Sequence, residues 1–477
     1  MTHPARDTAR ERLAAGLAPI IEEIIASFAL AGIAVGVVQD GATIFARGFG
    51  LRDLRTREPV VPTSLFHMAS ISKPFVATAI MQLVERGRLT LDTPVAGALP
   101  DFRLADERYR AITVQQMLSH LSGMPDTDDY GWDRPEEDEE ALARYVRGLA
   151  PERLIANPGE RYAYSNIAYE VLGALVARVS GQSFEAYLRD NVLRPLGMTA
   201  STFLKREVAP ELATTPHLNV PRASVSPVYP YNRAHSPSST LHSSAVEMGR
   251  WALANLNRGE LDGRRILQAA SYGLLWHPYV ETGYGDPPEH VGLSWFLAEY
   301  RGHRTVEHGG ADTGFETNLV LLPDLGAAVV VLSNSIPAPV GPITRVALDL
   351  LLGFEPEPPR PPVLLALAEL LAQPGHEAAL ARYHELHAAH PGDYDFDPGQ
   401  FYPAAELWFE IKQCREAINA LRLALALEPN SDHGYELLGL AYHRCGEPAA
   451  ARAALARALE LNPTNSRAQT LLHKVSL

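Results

Sequence analysis

Residues 64–73 read SLFHMASISK, and the helix that this stretch opens organises the reading of most of the chain. After Lys73 the apolar positions Phe75, Val76, Ala79, Ile80, Leu83 and Val84 keep helical spacing, and Gly87 ends the run. Upstream, IAVGVV (33–38) and TIFAR (43–47) are β-branched runs joined by Asp40-Gly41, a hairpin signal. From about residue 88 to about 270 helical and loop patterns dominate. Strand signals return at 293–299 (LSWFLAE), 303–307, 317–322 (TNLVLL) and 327–333 (AAVVVLS), the last two joined by a turn at Pro323-Asp324-Leu325-Gly326. A helix over 340–353 closes this part. Strands at both ends with helices between predict an α+β fold. Its antiparallel sheet is built from the two ends of the domain and flanked by helices, with a helical subdomain beside it.

A chain of 477 residues exceeds one core, so two or more domains are expected. Residues 354–362, FEPEPPRPP, read as a semi-rigid linker. Beyond it the composition turns to Ala- and Leu-rich helices with an internal period. Pro429 and Pro463 stand 34 apart (463 − 429), as do Ala417 and Ala451, Leu421 and Leu455, Ala424 and Ala458, and Trp408 and Tyr442. Ala379, Tyr383 and Pro391 mark an earlier, divergent copy, and a terminal helix covers 466–475. A 34-residue helix pair with small residues where the helices touch resembles the tetratricopeptide repeat. The expected division is a domain over 1–355 and an all-α, tetratricopeptide-like repeat domain over 356–477.

A formal net charge of −14 argues against nucleic-acid binding and against adhesion to anionic lipid. Cys414 and Cys445 lie at no metal-ligand spacing, so neither a disulfide framework nor a zinc site is expected. The first residues read as an amphipathic helix with charges along it, not as a signal peptide, and no apolar run reaches membrane-spanning length. A soluble, cytoplasmic protein is the expectation. Lysine is used only at positions 73, 205, 412 and 474, while arginine supplies the other 38 of 42 basic residues (42 − 4). Arginine keeps its proton in a protein, whereas a desolvated lysine can lose it, so each retained lysine raises a question.

Ser70-Ile71-Ser72-Lys73 answers for one of them. Residues three apart share a helix face, so Lys73 stands beside the Ser70 hydroxyl, and a helix start aims backbone N–H groups at an oxyanion formed there. A serine hydroxyl needs a base to become a nucleophile, and a neutral lysine can serve. Tyr164-Ser165-Asn166 adds a phenol able to relay a proton and an amide able to donate and accept. His308-Gly309-Gly310, at a strand junction, would let a substrate lie against the strand edge.

SxxK at a helix start, YxN after a helical stretch and HGG at a late strand together resemble the class C-type β-lactamases, D-alanyl-D-alanine carboxypeptidases and related serine esterases. The segments GRLTLDTPV, ITVQQMLSHLSGMP, NPGERYAYSN and HGGADTGF share the likeness, which covers roughly residues 15–355. The resemblance implies that Ser70 is acylated and that Lys73 and Tyr164 share proton transfer. It implies that Asn166 holds the substrate or orients Lys73, and that His308 occupies the place of the Lys-Thr-Gly lysine. The oxyanion would be held by the N–H groups of Ser70 and Ala311. Substrate contacts would involve Asn166, Gly309, Gly310 and Ala311. No cofactor and no metal are implied.

Two departures bear on substrate. His308 replaces a lysine that binds the penicillin carboxylate in many relatives. Histidine is mostly neutral near pH 7, which favours esters, amides or D-amino-acid peptides, with protonation near pH 6 expected to help carboxylate substrates. Ser238-Ser239-Thr240-Leu241-His242-Ser243 stands where relatives often carry a Gly pair, so the extra side chains narrow the site or alter a turn. The segment PDTDDYGWDRPEEDEE has nine acids over 126–140, read as a solvated loop opening a helix in preference to an acidic rim for cationic substrates. His384, His387 and His390 fall at steps of three, but without the carboxylate context of a metal centre.

The function expected is therefore a serine hydrolase acting through an acyl-enzyme on a small ester, amide or peptide. Residues 360–477 would bind a protein or peptide. The alternatives are a lactamase acting on penicillins or cephalosporins, and a non-catalytic binding protein on a decayed hydrolase scaffold.

Overall fold

The computed structural model describes residues 4–127, 129–220 and 222–476. The chain divides into two compact units. The first comprises residues up to Glu22, Ala31–His217 and Val228–Glu357; the second holds Glu23–Leu30, Leu218–Pro227 and the chain from Pro358 onward.

The elements that position the site are, in chain order, α1 (Pro4–Ser27), of which the first unit holds the part up to Glu22, and then, all in the first unit, β1 (Gly32–Gln39), β2 (Ala42–Asp53), β3 (Glu58–Pro59), α2 (Ser72–Glu85), α3 (Asn166–Ser180), α4 (Ala245–Leu256), β4 (Val280–Glu281), β5 (His290–Val291), β6 (Phe296–Tyr300), β7 (His303–Asp312), β8 (Phe315–Leu322), β9 (Ala327–Ser333) and α5 (Val340–Leu352). The nine strands form one antiparallel sheet in the order β4-β5-β6-β7-β8-β9-β1-β2-β3. The early hairpin thus lies against the last strand, with Ile33 opposite Ser333 and Gln39 opposite Ala327.

This mixed α/β arrangement is the α+β fold expected from the strand runs at both ends. The observed β7 is longer than the expected 303–307 and carries the whole His-Gly-Gly motif. The two-residue strands β4 and β5 give no period-2 run long enough to read.

The middle of the sheet is buried on both faces. On one, the Asn318 amide donates to Thr344 Oγ1 of α5 at 3.1 Å, and α1 caps that helix through Arg12, which donates to Leu350 O and Leu351 O. On the other, α4 presses close enough that a Cβ on Gly36 would stand 2.8 Å from Ala245 O. Behind it α2 is buried along almost its whole length, with Phe75 stacked on Trp251 at 3.9 Å between ring centres. A helix buried on every side belongs in the middle of a core, and its few polar side chains must be satisfied there.

In the second unit α6 (Leu364–Leu371), α7 (Glu377–Ala389), α8 (Phe401–Glu410), α9 (Cys414–Leu427), α10 (Asp432–Arg444), α11 (Pro448–Leu461) and α12 (Ser466–Ser476) follow one another. Ala417, Leu421 and Ala424 of α9 and Ala451, Leu455 and Ala458 of α11 are all fully buried, which is why small residues recur at that period. Gly439 of α10 lets α11 approach, since a Cβ there would stand 2.5 Å from Leu455 Cγ. His387 stacks on Tyr383, and His390 pairs with Asp393.

One expectation is overturned here. Cys414 and Cys445 are joined by a disulfide, with Cα atoms 5.9 Å apart. They are 31 residues apart in sequence, but α9 and α10 run back along one another, so the start of one helix meets the end of the next. A single clamp of this kind has no spacing signature.

Candidate active site

Ser70 lies in a tight 3₁₀ turn, Ala69–Ile71, that leads directly into α2. Ala69 has φ 48°, the left-handed region that costs a residue with a Cβ, so strain is stored immediately before the serine. The turn is held from two sides. The Met68 N–H donates to Leu241 O at 2.7 Å, and Leu241 N–H donates back to Ser72 Oγ at 3.0 Å. Thr317 Oγ1 donates to Met68 O at 2.9 Å. Strand β7 closes against the same turn. A Cβ on Gly310 would strike Met68 O and stand 2.9 Å from Ser70 N, whereas one on Gly309 would make only ordinary contacts at 3.7 Å. Of the two glycines, the second is the one geometry demands; Ala311, next along the strand, is exposed.

Lys73 is fully buried, and its Nζ donates to Ser70 Oγ at 2.8 Å and to Ser238 O at 3.0 Å. Tyr164 OH donates to the same Ser70 Oγ at 3.0 Å. The Lys73 ammonium also lies 5.0 Å from the centre of the Tyr164 ring and 5.6 Å from that of Tyr169. Burial pushes Lys73 down to about 8, against the pull of Glu170, Asp126 and Asp312, whose charges favour the protonated form. Burial pushes the Tyr164 phenol well up, so it stays a donor near neutral pH. His120 stacks on Tyr164 at 4.3 Å and accepts from Ser165 N–H through Nδ1.

His308 is buried against Phe296, and its Nδ1 donates to Gly309 O at 2.6 Å. Its Nε2 has no hydrogen-bond partner among the described residues. Burial and the neighbouring Lys73 charge push His308 down to about 3. That direction runs against the protonation near pH 6 expected from the sequence and favours the neutral imidazole. Asn166 opens α3, and its side-chain N–H groups donate to Asp126 Oδ2 at 3.0 Å and Tyr130 OH at 2.7 Å.

Four residues of this cluster have roles that the sequence motifs did not assign, and Glu170 lay outside every segment singled out. Glu170, one turn along α3 and fully buried, accepts from Ser238 Oγ, Ser238 N–H and His235 Nδ1. Asp312 accepts from His67 Nε2 at 2.8 Å and from Ser239 Oγ. Asp126 holds Asn166, and Ser238 supplies the carbonyl for Lys73. The serines standing in place of a Gly pair thus each tie a carboxylate. The one available signal was Glu170 itself, a lone acid in the apolar run NIAYEVLGALV. The remaining acids of 126–140 that are described behave as a solvated segment: Arg134 pairs with Asp129 and Asp133, and Arg144 with Glu136 and Asp138. Asp128 lies outside the described residues.

The family model Beta-lactamase matches residues 17–352. The chain belongs to the beta-lactamase family. The tetratricopeptide repeat model matches residues 412–475. Penicillin-binding protein 4 of Amycolatopsis lactamdurans is 31% identical over 318 residues, covering 64% of this chain and 80% of that protein. Protein flp of Staphylococcus aureus strain MW2 is 26% identical over 66% of this chain, and the hydrolase ungD' of Aspergillus campestris, named for unguisins, is 31% identical over 67%. The chain spans 62% and 61% of the length of those two. Among solved structures, the octameric penicillin-binding protein homologue from Pyrococcus abyssi matches with a TM-score of 0.63 at 27% identity, covering 75% of this chain and 81% of its own. EstCE1, a hydrolase with promiscuous acyltransferase activity, shares the fold with a TM-score of 0.58 at 21% identity over 70% of this chain and 95% of its own. Membership of this family supports a serine hydrolase-type activity.

Proposed function

We propose that the protein hydrolyses small esters, amides or D-amino-acid peptides through an acyl-enzyme on Ser70. The observation that carries the reading is the 2.8 Å contact between Ser70 Oγ and a fully buried lysine whose ammonium is destabilised. Ser70 Oγ attacks the substrate carbonyl carbon as its proton passes to Lys73 Nζ. The bond to the leaving oxygen or nitrogen then breaks, and Tyr164 delivers a proton to it, restored from Lys73. Water repeats the sequence in reverse, freeing the acid and the Ser70 hydroxyl. The Ser70 and Ala311 N–H groups hold the oxyanion, and Gly309 and Gly310 give the substrate room against β7. Asn166 lines the site. His308, neutral at working pH, offers no cation to a penicillin carboxylate, which supports esters and amides over lactams. A relative at 31% identity is named a hydrolase of unguisins, which fits hydrolytic chemistry.

The test is a screen of p-nitrophenyl esters, D-amino-acid amides and nitrocefin, with an alkyl fluorophosphonate to label Ser70. Because Lys73 must be the free amine to accept a proton, kcat/KM should climb as pH rises through about 8. Efficient nitrocefin turnover with negligible esterase activity would reverse the substrate order. Failure of the probe to label a folded wild type would favour a binding protein on a decayed scaffold.

The repeats, in this reading, bind a protein or extended peptide and are dispensable for chemistry on small esters, so a chain ending at residue 355 should keep its esterase activity. No described helix is long and apolar enough to cross a membrane. A cytoplasmic location remains part of the proposal, and the Cys414–Cys445 bond is the observation against it, since cytosolic reductants keep thiols reduced. Counting maleimide-reactive thiols in protein from cells lysed under thiol-blocking conditions decides: two fit a reducing cytosol, and none, with the bond of the structure intact, fits an oxidising compartment.

A further inference from the structure

The Ser236–Ser239 turn supplies the carbonyl that receives Lys73, and that turn is held from below by one carboxylate. Glu170 accepts the Ser238 hydroxyl, the Ser238 N–H at 3.3 Å and His235 Nδ1 at 3.1 Å. The residue that precedes this helical turn and one within it are therefore gathered on one buried acid. His235 is itself enclosed by the rings of Tyr130, Trp132 and Tyr145, at 5.1, 5.7 and 4.6 Å between centres. Arg233, two residues before it, is locked by a buried ion pair to Glu185 at 2.8 Å. A carboxylate taken out of water is costly unless it is hydrogen-bonded and paired, so a satisfied acid in this place needs a use.

We propose that Glu170 is a positioning residue for catalysis: it fixes the Ser236–Ser239 turn so that Ser238 O receives Lys73. The Glu170 charge also favours the protonated form of Lys73. The proposal rests on the reading of Lys73 as the base for Ser70. The groups that face Lys73 are Tyr164, Tyr169 and Glu170 from the α3 region, Asp126 and His120 from the loops, and Asp312 and His308 from β7. Asp126 is held by Asn166 and Asp312 by His67 and Ser239. Glu170 alone among the three acids is also bonded to the residue whose carbonyl Lys73 touches. Removing a negative charge near an amine lowers the pH at which the amine deprotonates.

The chain's four lysines make the ionisation directly readable. Full-length protein grown with ¹³Cε-lysine is titrated by NMR, with the Lys73 signal assigned by its loss in Lys73→Arg. The same proteins are assayed for kcat and KM on a p-nitrophenyl ester from pH 6 to 10. In Glu170→Gln the Lys73 midpoint should fall by at least about half a pH unit, a roughly threefold change in free amine at fixed pH, and the acidic limb of kcat/KM should move with it. In Ser238→Ala, which keeps the charge and the carbonyl, kcat should fall several-fold with KM and the Lys73 midpoint unchanged. Circular dichroism checks the fold of both. An unmoved Lys73 midpoint in folded Glu170→Gln overturns the electrostatic role, and an unchanged kcat in Ser238→Ala overturns the positioning role even where Glu170→Gln fails to fold. A Lys73 midpoint that moves while the rate profile stays fixed leaves Glu170 acting on Lys73 and removes Lys73 as the base, so the two failures are told apart.

Discussion

Two populations of carboxylate occupy the first unit. Along 129–140 the acids are exposed and answered by arginine, as in the Arg134 and Arg144 pairs. Around Lys73 the acids Asp126, Glu170 and Asp312 are held by amide, hydroxyl and imidazole groups instead. An arginine carries a fixed charge that cancels the field of the acid it binds. Hydrogen bonds from polar groups satisfy the oxygens and leave their field directed at the lysine. Charge density therefore says little about where chemistry sits; the partner of each charge says more.

The strongest way to break this contrast is Lys73→Arg. It keeps the cation and removes the ability to take a proton, so kcat/KM on a reactive ester should fall on the order of 10²–10⁴-fold. Retention of more than about a tenth of the activity would mean that Lys73 is a structural cation like the arginines outside. Next is the glycine pair. Gly310→Ala drives a methyl against Met68 O and Ser70 N and should cost on the order of 10²-fold by displacing the nucleophile, while Gly309→Ala, whose methyl meets the protein only at ordinary contacts, should cost less and act mainly on KM. Equal losses in the two variants would show that strand contact with substrate matters more than the seat of Ser70. Third, Ser72→Ala strands the buried Leu241 N–H and should lower stability by about 1–3 kcal/mol in urea titration, with most esterase activity retained. The smallest effect is expected from Arg144→Ala, whose exposed partners are solvated without it; no resolvable change in Tm or in kcat/KM should follow. A loss of activity there would bring the acidic segment into the site.

What could be read in advance follows the range of the interaction. Ser70, Lys73, Tyr164, Asn166 and His308 lie in short motifs, and strands such as AAVVVLS carry their own period, so both were legible. Glu170 and Ser238 are 68 residues apart, and Ser239 and Asp312 are 73 apart. Their partnership exists only once α3, the Ser236–Ser239 turn and β7 meet, and no local pattern encodes it. The positive φ at Ala69 is equally silent in sequence, because alanine gives no hint of a left-handed backbone. The Cys414–Cys445 bond was misread for the same reason: two residues give no pattern until the helix hairpin brings them together.

That bond has a mechanical side. A chain pulled from its two ends lengthens by about 3.3–3.6 Å for every residue drawn out straight. The 31-residue separation closed by Cys414 and Cys445 removes roughly 100 Å from that reach, because tension passes through the sulfurs and bypasses α9 and α10. Those two helices can melt, but under load they cannot be drawn out into an extended tether until the bond is reduced.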